Sequence, residues 1–99
     1  MALKIRDVNH HNKTISKLPY PNPFNSTVHV PFIRNVDGDE VLLNIYDMTG
    51  RLVKTLVRPG NIWQDEFVVQ QLQACAEFNY ELWNGQNRYI GKFISVQQE

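Results

Sequence analysis

The chain has 99 residues, 42% of them apolar and 20% charged, with ten Lys and Arg against ten Asp and Glu. That length suits one domain around one core and is too short for two domains flanking a cleft. Balanced charge excludes a nucleic-acid partner held by a bulk positive field, and a single cysteine, Cys75, excludes an internal disulfide or a multi-cysteine zinc module.

No apolar run approaches the roughly 18 residues of a membrane-spanning helix, so direct membrane insertion is not expected. The start, Met1-Ala2-Leu3-Lys4-Ile5-Arg6-Asp7, has no long apolar stretch. No signal peptide is read in this chain: either it is intracellular or it is a piece of a longer polypeptide whose signal lies elsewhere. Residues 1–36 carry Lys4, Arg6, Lys13, Lys17 and Arg34 against Asp7 alone, and the acids gather in the remainder. Residues 1–17, with His10-His11 and a polar stretch from Asn9, read as a leader or linker laid on the domain or trailing from it; the domain itself is assigned to residues 18–99.

At Leu18 the character changes. Leu18-Pro19-Tyr20-Pro21-Asn22-Pro23-Phe24-Asn25 holds three prolines, which remove amide donors and keep preceding residues extended, so no helix runs through it. Tyr20 and Phe24 are placed to anchor this stretch against a sheet edge, and an aromatic before Pro21 permits a cis peptide. Residues 26–33 then alternate, with Val28, Val30 and Phe32 on one face and Thr27, His29 and Pro31 on the other. Pro31 points to an edge strand.

Asn35-Val36-Asp37-Gly38-Asp39 supplies a turn. Residues 41–48 form an apolar strand with Val41, Leu43 and Ile45 in register; Asp47-Met48-Thr49-Gly50 turns the chain, and residues 51–57 return as its hairpin partner. Arg58-Pro59-Gly60-Asn61 breaks that strand. Residues 62–72 are ambiguous, and a strand to about Val69 followed by a turn is favoured over the helical propensity of Gln70-Gln71-Leu72-Gln73-Ala74. Phe78, Tyr80 and Leu82 alternate with Asn79, Glu81 and Trp83, Asn84-Gly85-Gln86-Asn87 turns again, and residues 89–96 make a last strand interrupted by Gly91. Six or seven short strands between turns define an all-β antiparallel sandwich.

Candidates for chemistry are few. His10, His11 and His29 lack metal-ligand spacing, so neither a metal site nor a catalytic histidine is assigned. Cys75 has no supporting motif and reads as a small buried hydrophobe. Asp37-Gly38-Asp39-Glu40 reads as a turn with solvated carboxylates, not a calcium loop. The five glycines fall one per connection, with no phosphate-binding loop, and no cofactor is implied. Trp63, Trp83, Tyr46, Tyr80 and Tyr89 offer a platform for stacking on sugars, weighed against core or rim packing. Asn12-Lys13-Thr14 and Asn25-Ser26-Thr27 match glycosylation sequons, which matter only in a eukaryotic secretory route.

Three segments go further. Tyr20-Pro21-Asn22-Pro23-Phe24-Asn25-Ser26-Thr27, the hairpin carrying Tyr46-Asp47 and Gly50-Arg51, and Leu82-Trp83-Asn84-Gly85-Gln86-Asn87 resemble the type A C-terminal sorting domain of the bacterial type IX secretion system. They are similar also to the immunoglobulin-like domain of the flagellar hook-capping protein. The resemblance covers residues 18–93 and implies an immunoglobulin-like β-sandwich at the C-terminus of a larger protein, secreted or held at the cell surface. It implies a protein export apparatus as partner, no catalytic role, and Tyr20, Pro21, Asn22, Pro23, Phe24, Asn25, Tyr46, Asp47, Gly50, Arg51, Trp83, Asn84 and Gly85 as recognition or structural positions. Members carry a final strand of a Ser-Gly-Val-Tyr pattern, where this chain has Gly91-Lys92-Phe93-Ile94-Ser95 running into Val96-Gln97-Gln98-Glu99. A missing last strand leaves a sheet edge open to self-association by strand addition. A carbohydrate-binding module using Trp63 and Trp83, and an assembly or adhesion scaffold, are the competing functions.

Overall fold

The computed structural model of the protein describes residues 14–34 and 37–96. The histidines and sequon asparagine of the leader, Asn35 and Val36 of the turn, and residues 97–99 lie outside the described residues. Seven strands follow in order: β1 (Thr14–Ser16), β2 (Thr27–Arg34), β3 (Val41–Tyr46), β4 (Leu52–Arg58), β5 (Gln64–Gln70), β6 (Ala76–Trp83) and β7 (Arg88–Ser95). All named pairings are antiparallel, in a three-stranded sheet ordered β1-β2-β5 and a four-stranded sheet ordered β4-β3-β6-β7. This is the expected all-β sandwich, and β1 places the end of the leader stretch, Thr14 to Ser16, against β2.

Period-two patterning fills the core. Val28, Val30 and Phe32 from β2 and Phe67 and Val69 from β5 face Val41, Leu43 and Ile45 from β3, Phe78, Tyr80 and Leu82 from β6, and Phe93 from β7. Each fully buried aliphatic or aromatic side chain contributes about 1.5–3 kcal/mol relative to exposure. Phe93 sits among three rings: Phe24 meets it edge-on at 5.6 Å, Tyr80 stacks at 5.4 Å and Phe78 tilts at 6.2 Å. Burial pushes the Tyr80 hydroxyl pKa above its ordinary value.

Four expectations are corrected. Pro31 lies on β2, the central strand of its sheet, not on an edge. Its carbonyl accepts the Lys17 amide, so its missing N–H falls on the β1 side, opposite residues 17–19, where the neighbouring chain has left regular pairing. Gly91 does not interrupt the last strand: it pairs with Tyr80, whose ring occupies the space where a Cβ would fall, 2.6 Å from the hydroxyl. Cys75 is exposed, not buried, at a turn with φ of 56°. The stretch Gly91–Ser95, read as falling short of a closing strand, is the second half of β7 and pairs with β6 to its end.

The proline-rich stretch ties the two sheets together. Tyr20 exchanges both main-chain hydrogen bonds with His29, at 2.9 and 2.8 Å, and so prolongs the line of β1 along β2. The chain then crosses the side of the sandwich through cis peptides at Tyr20-Pro21 and Asn22-Pro23. It reaches β7, where the Phe24 amide donates to the Ile94 carbonyl and the Val96 amide donates to the Phe24 carbonyl, both at 2.9 Å. Asn22 imitates one more strand residue: its Oδ1 accepts the Ile94 amide at 3.0 Å and its Nδ2 donates to the Lys92 carbonyl at 3.2 Å. The lower part of the β7 edge is therefore occupied rather than open.

Candidate functional site

The residues singled out by motif spread over four places. Tyr20 lies on the outer face of the three-stranded sheet, stacked on the His29 ring at 4.9 Å, with its hydroxyl donating to Glu66 at 2.8 and 2.9 Å. His29 Nδ1 stands 2.6 Å from the same carboxylate. The hydrogen bond to Glu66 raises the Tyr20 pKa above its ordinary value, because the neighbouring carboxylate opposes phenolate formation. Phe24 is in the core, Asn22 is on the β7 edge, and Pro21, Pro23 and Asn25 are exposed along the crossing.

Asp47, Gly50 and Arg51 build the β3–β4 turn. The Asp47 carboxylate accepts the Thr49 amide at 2.9 Å, the Thr49 hydroxyl at 2.6 Å, the Arg51 amide at 3.0 Å and Arg51 Nε at 3.2 Å. Gly50 takes φ of 88°, a conformation that favours glycine. The donors hold the Asp47 pKa down from 3.8 to about 2, the Thr49 hydroxyl first among them. A depressed carboxyl pKa supports the fold above the unfolded value, and this support is lost as pH falls through about 2. An NMR titration of the Asp47 carboxyl should find its midpoint near 2; a midpoint near 4 would show that the turn does not hold the charged form.

At the opposite end Asn84 is fully buried, donating through Nδ2 to the Thr14 hydroxyl at 2.8 Å and accepting the Gln86 and Asn87 amides on Oδ1 at 2.9 and 2.7 Å. It folds the β6–β7 turn and fastens it to β1. Gly85 follows at φ of 97°. Both residues shape this turn.

Tyr46 and Trp83 are different, because they project from the outer face of the four-stranded sheet, outside the core. Cross-strand register aligns Thr55 on β4, Asn44 on β3 and Glu81 on β6. A hydrogen-bonded row follows that line. The Thr55 hydroxyl donates to Asn44 Oδ1 at 2.8 Å, Asn44 Nδ2 donates to Glu81 Oε1 at 3.1 Å, and Arg88 Nη1 on β7 donates to Glu81 Oε2 at 3.0 Å. Tyr46 adds a longer bond to Oε1 at 3.4 Å. Arg88 foremost, then Asn44, lowers the Glu81 pKa, so the carboxylate stays charged. The Arg88 guanidinium lies 5.9 Å over the Trp83 ring.

Asn44, Glu81, Trp83 and Arg88 line a shallow recess on this face. Beside it, Leu42 pairs with Trp83 and with Val57, giving an apolar row next to the polar one. Chemically this is a fixed polar surface: the carboxylate is engaged by donors, and one cation is held above an indole.

Sequence reasoning named Tyr46 and Trp83 but missed Asn44, Glu81 and Arg88. Alternation put Asn44 and Glu81 on the solvent face, and only register shows that they meet. The five-ring platform is not assembled. Tyr80 is in the core and Tyr89 packs against it, donating its hydroxyl to the Thr14 carbonyl. Trp63 is held elsewhere, with Nε1 donating to Asp37 at 2.7 Å. Asp37, Gly38, Asp39 and Glu40 are exposed, as a solvated turn requires.

The fold and its surface define a class of small two-sheet β-sandwich carrying one organised outer face. The family model described as the secretion system C-terminal sorting domain matches residues 19–95, and the chain belongs to that family. Its members carry the C-terminal sorting signal of type IX secretion, which is the signal of secreted and cell-surface proteins. No curated protein matches the chain.

Proposed function

We propose that residues 18–99 act as a non-catalytic sorting and anchoring module of a larger secreted bacterial protein, recognised by an outer-membrane export apparatus through the outer face of the four-stranded sheet. Residues 1–17 serve as the link to what is carried, with their last part, Thr14–Ser16, joined to the sandwich as β1. The observation that carries this reading is the position of Tyr46 and Trp83, two residues of the family pattern that fill no core space and instead flank the Thr55-Asn44-Glu81-Arg88 row. Exposed polar pairs add little to stability, about 0–1 kcal/mol each, so an ordered row across four strands is better explained by presentation of a fixed surface. The guanidinium over Trp83 argues against sugar stacking on that ring, since it occupies the face a sugar would use.

The test is export of a reporter fused ahead of the whole chain in a host with a type IX apparatus. The wild-type fusion should reach the medium or cell surface. Arg88→Ala, at a side chain that is 60% exposed, should retain it in the periplasm while the chain stays folded by circular dichroism. Export of that folded variant at the wild-type level would remove the surface assignment, and retention of the wild-type fusion would remove the sorting role.

A further inference from the structure

A two-sheet sandwich has four edge strands, each a row of unpaired main-chain groups that another strand can join. Three are guarded here. Asn22 and Phe24 occupy the β7 edge. On β5, Lys54 Nζ donates to the Gln70 carbonyl at 2.8 Å and Arg58 Nη2 to the Glu66 carbonyl at 3.4 Å. β1 has three residues, and the Tyr89 hydroxyl takes its Thr14 carbonyl.

β4 is the exception. It is seven residues long, and among the described residues its outward main chain receives one side-chain bond, from its own neighbour, Arg58 Nη1 to the Val57 carbonyl at 3.0 Å. The side chains that would blunt it, Lys54 and Arg58, reach back over β5 instead. Leu52, Val53 and Val57 are left 51%, 38% and 44% exposed. The bulge that sets Leu52 opposite Tyr46 confines regular pairing to the stretch after Leu52.

We propose that β4 pairs with β4 of a second copy of this chain, antiparallel about Thr55, joining two four-stranded sheets into one of eight strands. The register follows from charge. With the two-fold axis at Thr55, Val53 of one copy faces Val57 of the other, and Lys54 faces Leu56. Moving the axis to Leu56 would set Lys54 against Arg58, and like charges directly opposite are unfavourable. The strand is thus complementary to itself about Thr55, as an isologous contact requires. The valines at the seam extend the Leu42-Val57 apolar row into the second copy.

The experiment uses the full chain carrying Cys75→Ser. Its mass in solution should rise from 11.6 kDa toward twice that value with concentration. Thr55→Cys should oxidise to a disulfide dimer about tenfold faster than the exposed control Gln73→Cys, because paired residues at a two-fold axis lie within disulfide reach. Val57→Lys, on an exposed side chain, should remain folded by circular dichroism and become monomeric. Thr55→Pro, which deletes an outward N–H, should do the same. A monomer at all concentrations with no preference for Thr55→Cys overturns the proposal. So does a dimer that survives Val57→Lys, or a chain whose β4 amides gain exchange protection only when export proteins are added. The mass, disulfide and variant readouts are made on purified chain alone, so failure of the export assay leaves them intact.

Discussion

Phe24→Ala is expected to lower unfolding stability by about 3–5 kcal/mol, the usual cost of truncating a buried phenylalanine. Small domains have about 5–15 kcal/mol in total, so this removes a large share of the margin. The ring is 1% exposed and packs edge-on against Phe93, on the strand that Phe24 also meets through two main-chain hydrogen bonds. Truncation leaves a void between the crossing segment and β7, where prolines on both sides of Asn22 restrict the backbone that would have to relax. Asn22→Ala removes two solvent-facing side-chain bonds to β7 and should cost less, about 1–2 kcal/mol. Urea unfolding followed by tryptophan fluorescence gives both values. A loss below about 1 kcal/mol for Phe24→Ala would mean that the segment does not close the core.

The second large effect concerns glycines at one end of the sandwich. Gly60→Ala should cost about 2–4 kcal/mol, because the new methyl would overlap the Gly38 carbonyl and crowd that of Asp39. Both obstacles are main chain and are held: Gly38 donates its amide to the Gly60 carbonyl at 3.1 Å, and Arg34 Nη1 bonds the Asp39 carbonyl at 2.9 Å. Gly85→Ala meets the Asp39 side chain, whose carboxylate can rotate away but whose Cβ, 2.8 Å from the new methyl, must shift slightly, and this adds to backbone strain at φ of 97°, about 1–2 kcal/mol in all. Thermal or urea denaturation of the two variants should rank Gly60→Ala as the weaker protein. The reverse order would show that the two loops part easily and that the left-handed turn carries the greater constraint.

The contrast also shows what a sequence conveys. Gly85 stands in a recognisable turn between alternating strands, whereas Gly60 is needed because of residues 38 and 39, which no local pattern connects to it. The β3–β4 hairpin was legible for the same reason as Gly85: strand period, turn residues and partner all lie within 18 residues, from Val41 to Arg58. Pro31 misled because the edge rule concerns the whole strand, while the missing donor needs only a local gap beside residues 17–19. Cys75 misled because composition favours burial of cysteine, yet a turn between β5 and β6 overrides it. Arg34 counts among the bases of residues 1–36, but it continues the inward face of β2 and is 2% exposed. For the outer surface, sequence supplied Tyr46 and Trp83. Asn44, Glu81 and Arg88 come from three strands, and their meeting is a product of register.

The crossing segment sets the order of events during synthesis. Phe24 and Asn22 find their partners only at Lys92, Ile94 and Val96, and Thr14 finds Asn84 and Tyr89. These contacts therefore wait, through translation of some seventy more residues, for the last strand to emerge. Until then the sandwich stays unsealed along one side, with Phe93 not yet made and the cavity for Phe24 lacking its wall. A domain built in this way reports on its own completion: a ribosome that stops before β7 releases a chain without the finished surface.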